Sequence, residues 1–169
     1  MSQIKVESLS KQHDRLGFDC GVKELNDFLK RYASQNQKKH ISKTFVAVSD
    51  ENTNDLPKKE VLGFYTLSTG EMDHSLLPSD VRHPKYPVSI ARLARLAVDL
   101  KQQGNGVGGR LLYDALNKIK AASAAVGIFA VVVDAKDVGA KKFYEHYHFV
   151  PLEDSELTLF LPMAVIDKL

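Results

Sequence analysis

Residues 93–112, LARLAVDLKQQGNGVGGRLL, constrain the fold of this chain more than any other stretch. The segment opens as an apolar strand and breaks on Gly104, Gly106, Gly108 and Gly109. It leaves as a helix from about residue 107, with Leu111, Leu112, Ala115, Leu116 and Ile119 on one face. A chain that passes from strand to helix through glycines exposes backbone N–H groups where the helix starts. Such a turn favours an anion, with glycine letting a phosphate or pyrophosphate approach the backbone closely.

The flanking segments extend this unit. Residues 128–133, IFAVVV, are continuously apolar, the pattern of a strand buried on both faces and paired in parallel with the strand at 90–100. The helix at 107–125 is then the crossover, with Gly127 closing it as a left-handed C-terminal residue. Asp137 is placed to cap a further helix running to about residue 146, and 149–152 and 156–161 read as two closing antiparallel strands. Upstream, residues 4–9 alternate as a first strand. Val22, Leu25, Phe28, Leu29 and Tyr32 mark a helix that starts beside Cys20 and Gly21. Residues 44–48 and 61–68 are rich in β-branched and aromatic residues and form a hairpin around a long polar loop. Pro78, Pro84 and Pro87 make 71–87 a surface excursion with at most a helical turn at 76–81.

Composition sets limits on what this unit belongs to. With 169 residues the expectation is one domain, 1–169, with an adequate core. The lone cysteine, Cys20, cannot form an internal disulfide, and no apolar leader precedes residue 10, so a reducing cytoplasm is expected. No apolar run approaches the roughly 18 residues of a membrane span. The net charge of +2 leaves any nucleic-acid contact to a local patch. The one concentrated basic tract holds Lys23, Lys30, Arg31, Lys38, Lys39, His40 and Lys43, and it reads equally as a solvated helix face or as a surface for an anionic partner. The six histidines are scattered with no cysteine or carboxylate cluster beside them, so no metal is expected.

Two patterns overlap in the glycine turn. Gly104, Gly106 and Gly109 satisfy the dinucleotide fingerprint G-x-G-x-x-G, and Asp134 ends the next strand where a ribose-binding acid would stand. That fold needs several βαβ units, whereas one is visible here, and the 35 residues after Asp134 cannot supply the missing half. A Walker A loop is excluded because no Lys-Ser or Lys-Thr follows the glycines. The same residues also read as Gln103-x-x-Gly106-x-Gly108 after the strand RLAVD. This resembles the acetyl-CoA motif of the GNAT acetyltransferases, and the order of elements is similar to theirs.

The resemblance implies an α+β GNAT fold, with a mixed central sheet, antiparallel N-terminal strands, one parallel βαβ unit around the CoA site and flanking helices. It implies that the pyrophosphate of acetyl-CoA rests on Gln103, Gly104, Gly106, Val107, Gly108, Gly109 and Arg110, and that the pantetheine arm pairs with the backbone of Leu96, Ala97 and Val98, whose amides also polarise the thioester carbonyl. Asp134 stands where many members carry an asparagine that contacts the cofactor.

Four stretches, LSKQHDRLGFDCGVKELNDFLK, LGFYTLSTGEM, RLAVDLKQQGNGVGGRLLYDAL and AKKFYEHYHF, resemble one branch of the family, the toxins that acetylate the α-amine of aminoacyl-tRNA. Carried over by position, Tyr144 is the general acid toward the departing CoA thiolate. Glu71 is a candidate base only for a lysine acceptor, since an α-amine, with a reference pKa of about 7.7–8.0, is already partly neutral. Lys30, Arg31, Lys38, Lys39, Arg92 and Arg95 then become contacts to tRNA, with Arg95 favoured over Arg92 at the acceptor end. The branch further implies a ribbon-helix-helix antitoxin partner and a homodimer, with no membrane association. Two other readings stay open: an N-acetyltransferase for protein lysines or small amines, and a CoA-binding regulatory module without turnover.

Overall fold

The computed structural model describes residues 3–51, 57–78 and 85–169. They form two compact units, Met1–Leu67 with Arg95–Ala115, and Ser68–Ala94 with Leu116–Leu169.

The first unit begins with β1 (Ile4–Ser8), which pairs antiparallel with β3 (Lys43–Ser49); β3 in turn pairs antiparallel with the start of β5 (Gly63–Met72). This is the expected hairpin, with the alternating strand of 4–9 added to its edge. Between β1 and β3 the helix marked by Val22, Leu25 and Phe28 is longer than its apolar spacing suggested. It runs as α1 (Lys23–Asp27), a π-helical segment at Phe28–Tyr32, and α2 (Ala33–Lys38). Phe28, Leu29 and Ala33, which fall on one side of the helix through this segment, are all buried. Phe28 and Phe18 pack on Phe64 at ring separations of 6.3 and 5.5 Å.

A small parallel pair, β2 (His13–Asp14) with β4 (Lys59–Glu60), had no visible sequence pattern, since two-residue strands carry no periodicity. Glu7 fastens it to β1. Its carboxylate meets His13 Nε2 at 2.7 Å and Lys59 Nζ at 3.0 Å. Burial opposes its ionisation, but these two partners outweigh burial and hold the Glu7 carboxyl below its ordinary range.

The second unit is built on β6 (Val88–Val98), whose last residues belong to the first unit, and on β7 (Ala130–Asp134). They pair in parallel from Ile90↔Ala130 to Leu93↔Val133. β7 then pairs antiparallel with β9 (Ser155–Pro162), and β9 with β8 (Val150–Leu152). Residues 130–133 are wholly buried, as their continuous apolar run required. The sheet is thus mixed, with the parallel pair inside an otherwise antiparallel series.

The crossover helix α3 (Val107–Ala122) buries Leu111, Leu112, Ala115, Leu116 and Ile119, the stripe read from the sequence. Its end differs from expectation. The helix stops at Ala122 and unwinds through turn hydrogen bonds such as Val126 N–H to Ala122 C=O, and Gly127 is not left-handed. Gly127 therefore does not close the helix. α4 (Val138–His146) starts on Asp137, whose carboxylate accepts the Ala140 N–H at 2.8 Å, and ends on His148 at φ 75°, a left-handed closing residue. A short α5 (Met163–Ile166) follows β9. The expected turn at 76–81 is displaced: a 3₁₀ segment at His74–Leu76 capped by Asp73 ends at Leu77, which is extended, and residues 79–84, with Pro84, lie outside the described residues.

Candidate active site

The glycine turn is a rigid local construction. After β6, Asp99 turns the chain. Its carboxylate caps a 3₁₀ turn at Leu100–Gln102 by accepting the Lys101 N–H at 2.9 Å, and it also accepts the Asp19 N–H at 3.1 Å. Gln103 then ties the turn down, its side-chain amide donating to Val98 C=O at 3.0 Å and to Cys20 C=O at 3.2 Å. Gly104 and Gly106 follow at φ +85° and +83°, conformations an L side chain adopts only at a cost, and nothing stands within 4 Å of where a Cβ would project from either.

The first hydrogen bond of α3 here runs from Arg110 N–H to Gly106 C=O, so the amides of Val107, Gly108 and Gly109 precede the helical ladder. Exposed left-handed glycines in front of a sixteen-residue helix thus present N–H groups and the positive end of a dipole to open space. Such a cradle fits a pyrophosphate. Arg110 is exposed beside it.

Beneath the turn lies a residue that sequence reasoning passed over. A Cβ on Gly63 would come within 2.8 Å of Leu111 Cδ1, 2.9 Å of the Ala97 carbonyl oxygen and 3.3 Å of Val107 Cγ1. Gly63 is the space that lets the start of α3 settle onto β5 and β6. The buried Tyr65, two residues on, donates its hydroxyl to Asp114 of α3, and burial followed by that bond pushes its pKa far up. The signal for Asp99 was present in its capping side chain before a turn. For Gly63 and Tyr65 there was none, because their partners lie some thirty to fifty residues away in sequence.

The remaining predicted residues divide between the two units. In the first, Arg95 lays its guanidinium 3.7 Å from the Phe28 ring centroid, a cation–π contact, and burial lowers its pKa. Arg31, Lys38, Lys39 and Lys43 are exposed, and Lys30 is half-buried. In the second, Arg92 Nη1 donates to Asp134 Oδ2 at 3.0 Å, while Thr158 Oγ1 donates to Asp134 Oδ1 at 2.9 Å. These residues line a cavity of about 380 Å³ that Glu71 also borders.

Tyr144 belongs to the second unit as well. Its ring is packed edge-on against Phe143 and Phe149, and only 6% of the residue is exposed. Its hydroxyl has no hydrogen-bond partner among the described residues. Ser42 Oγ is the one side-chain polar atom among them that is both sealed from solvent and unpaired, so the Tyr144 hydroxyl reaches accessible surface. Burial raises its pKa, keeping the proton on oxygen at neutral pH. The phenol is therefore in the protonated form that a general acid requires, although the same burial makes it a weaker acid than an exposed tyrosine.

Among the described residues there is no group of three or more His, Cys, Asp or Glu able to hold a metal, and no helix is long and apolar enough to cross a membrane.

Comparison with known proteins accounts for this arrangement. Residues 83–165 match the acetyltransferase (GNAT) domain family. The chain is similar to a tRNA-acetylating toxin of Mycobacterium tuberculosis, 35% identical over 92% of this chain and 89% of that protein. It is also similar to a probable toxin TacT of Sinorhizobium fredii, 29% identical over 94% and 90%. Among solved structures it resembles AtaT in complex with acetyl-methionyl-tRNAfMet, with a TM-score of 0.88, 31% identity and 98% of both chains covered. AtaTR with acetyl-CoA bound gives 0.83 and 31%, over 98% of this chain and 96% of that one. A tyrosine-to-phenylalanine mutant of KacT gives 0.89 and 31%, over 98% of both. The glycine cradle and the mixed sheet are thus those of an N-acetyltransferase, and the chain belongs to the GNAT acetyltransferases, in the branch that includes the tRNA-acetylating toxins.

Proposed function

We propose that this protein transfers an acetyl group from acetyl-CoA to the α-amine of an aminoacyl-tRNA and so arrests translation. The observation that carries the reading is its similarity, across nearly its whole length, to the structure of AtaT complexed with acetyl-methionyl-tRNAfMet.

Acetyl-CoA supplies a thioester whose acetyl carbon is open to attack by an amine. The chain's own residues do the rest. The N–H groups of the turn from Gly104 to Gly109, with Gln103 fastening it and Arg110 adding charge, hold the pyrophosphate. The backbone of Leu96, Ala97 and Val98, beyond the last residue that β6 pairs with β7, offers donors and acceptors to the pantetheine arm and polarises the carbonyl. The Tyr144 hydroxyl protonates the departing sulfur. Lys30, Arg31, Lys38 and Lys39, with Arg95, track tRNA phosphates.

We further infer that the chain acts as a single catalytic domain, since β5, β6 and α3 each run unbroken from one unit into the other. It works in the cytoplasm, where charged tRNA is found, as a homodimer restrained by a ribbon-helix-helix antitoxin. Support for an antitoxin comes from relatives whose structures are described as AtaT bound to the C-terminus of the antitoxin AtaR and as a KacTA–DNA complex.

The test is incubation of the purified protein with acetyl-CoA and total charged tRNA, followed by identification of the aminoacyl groups that gain acetyl. Label confined to protein would transfer the function to lysine acetylation, and turnover of neither would leave a CoA-binding module.

A further inference from the structure

The cavity in the second unit carries chemistry beyond that outline. Its wall contains a hydrogen-bonded chain whose direction is fixed. A carboxylate only accepts, so Thr158 must donate to Asp134 Oδ1; Ser155 Oγ therefore donates to Thr158 Oγ1 at 3.1 Å, and it accepts the Thr158 N–H at 3.2 Å. Asp134 is held from β9 on one oxygen and holds Arg92 of β6 on the other. Arg92 pairs with Val132 and Asp134 with Thr158 in the strand registers, so Arg92 and Asp134 are diagonal neighbours on one sheet face.

A guanidinium has five N–H donors, and among the described residues the one hydrogen-bond partner of Arg92 is Asp134. About a third exposed, Arg92 presents its remaining donors at the cavity wall. The ligand that suits them is not an anion. Glu71, Asp73 and Asp154 also border the cavity, giving its lining four carboxylates against one guanidinium, a formal charge of −3. A neutral oxygen acceptor close to a cation satisfies both, and Met72, Leu76 and Leu152 supply an apolar wall beside them. An aminoacyl ester carries these three features together: a carbonyl oxygen, an α-amino group on the adjacent carbon that is ammonium until it gives its proton to solvent ahead of attack, and a side chain.

We propose that this cavity receives the aminoacyl end of the acceptor, with Arg92 donating to the ester carbonyl and Asp134 acting as the positioning residue that aims it, and that the cavity excludes acidic aminoacyl groups. This rests on the aminoacyl-tRNA reading above, and it gives Asp134 a role toward the acceptor in place of the cofactor.

The experiment compares the parent with Asp134→Asn, Arg92→Gln and the double variant, using separately charged Met-tRNA, Asp-tRNA and Glu-tRNA, with methionine methyl ester as a second acceptor. The parent is expected to acetylate Met-tRNA at least tenfold more efficiently, in kcat/KM, than either acidic species. Each single variant raises KM for Met-tRNA and for the methyl ester about tenfold with KM for acetyl-CoA and melting temperature unchanged, and the double variant is no worse than either single one. Equal use of acidic and apolar substrates, or an Asp134→Asn effect confined to KM for acetyl-CoA, overturns the proposal while leaving tRNA acetylation intact. Arg92-dependent acetylation of the methyl ester without acetylation of any charged tRNA supports the cavity assignment and sinks the tRNA reading. Acetylation of neither acceptor overturns both.

Discussion

Gly63→Ala probes the contact on which the cofactor cradle rests. The new methyl group would stand 2.9 Å from the Ala97 carbonyl oxygen and 2.8 Å from Leu111 Cδ1, both about half an ångström inside the 3.4 Å at which ordinary contact begins. Leu111 is wholly buried and has little room to swing, and the carbonyl is backbone, so relief requires β6 or the start of α3 to shift. Overpacking of this kind costs about 1–3 kcal/mol, and in a domain of this size each kcal/mol lowers the melting temperature by about 2–4 °C. Because the displaced atoms are Ala97, proposed to pair with pantetheine, and Val107, proposed to help hold the pyrophosphate, the loss is expected in KM for acetyl-CoA as well as in stability. Thermal melting with and without acetyl-CoA, together with steady-state kinetics in both substrates, measures the two effects. A variant with parental melting temperature and parental KM for acetyl-CoA would refute the argument that Gly63 is glycine for lack of space.

Tyr144→Phe should lower kcat by about 10²–10⁴-fold, the range for loss of a general acid, while leaving melting temperature and acetyl-CoA binding unchanged, because the hydroxyl has no hydrogen bond to lose; parental turnover would remove the acid assignment. The pH dependence follows from the direction of the Tyr144 shift. Burial raises its pKa above the ordinary value near 10, so the folded protein keeps the proton where the unfolded chain sheds it, and stability falls only as pH rises above about 10. Below that, kcat/KM for the aminoacyl acceptor should show one rising limb as the α-amine deprotonates, near pH 7.7–8.0 by its reference pKa, and a falling limb below pH 9 would contradict the protonated-phenol argument. Replacing Lys38 and Lys39 by alanine should reduce the slope of log affinity for tRNA against log salt by about one per lysine, measured by filter binding between low and moderate salt; an unchanged slope would remove these residues from the interface.

How much of this was legible beforehand depended on the range of the interactions concerned. The glycine turn, the buried stripe of α3 and the Asp137 cap are local patterns that stand where they were read, and the apolar run read at 128–133 is a buried strand from Ala130, with Ile128 and Phe129 before it only half-buried. Errors of extent came at helix ends. The helix beginning at Lys23 continues through a π turn to Lys38, and α3 stops at Ala122 rather than at Gly127, because packing on the rest of the first unit and local turn bonds outweigh spacing and a lone glycine.

The sequence by itself determined that a glycine turn and a helix join a parallel strand pair, and through motif order it determined the family. Helix period, strand period and turn chemistry act over fewer than ten residues, so they survive in the linear text. What only the tertiary structure decided is which side chains meet: Arg92 with Asp134 across 42 residues, Tyr65 with Asp114 across 49, and Gln103 with Cys20 across 83. Those meetings depend on strand register, and a one-residue slip sends every side chain to the opposite face. Asp134, which the family resemblance places near the cofactor, stands between Arg92 and Thr158 because the registers of β6, β7 and β9 put those three residues together.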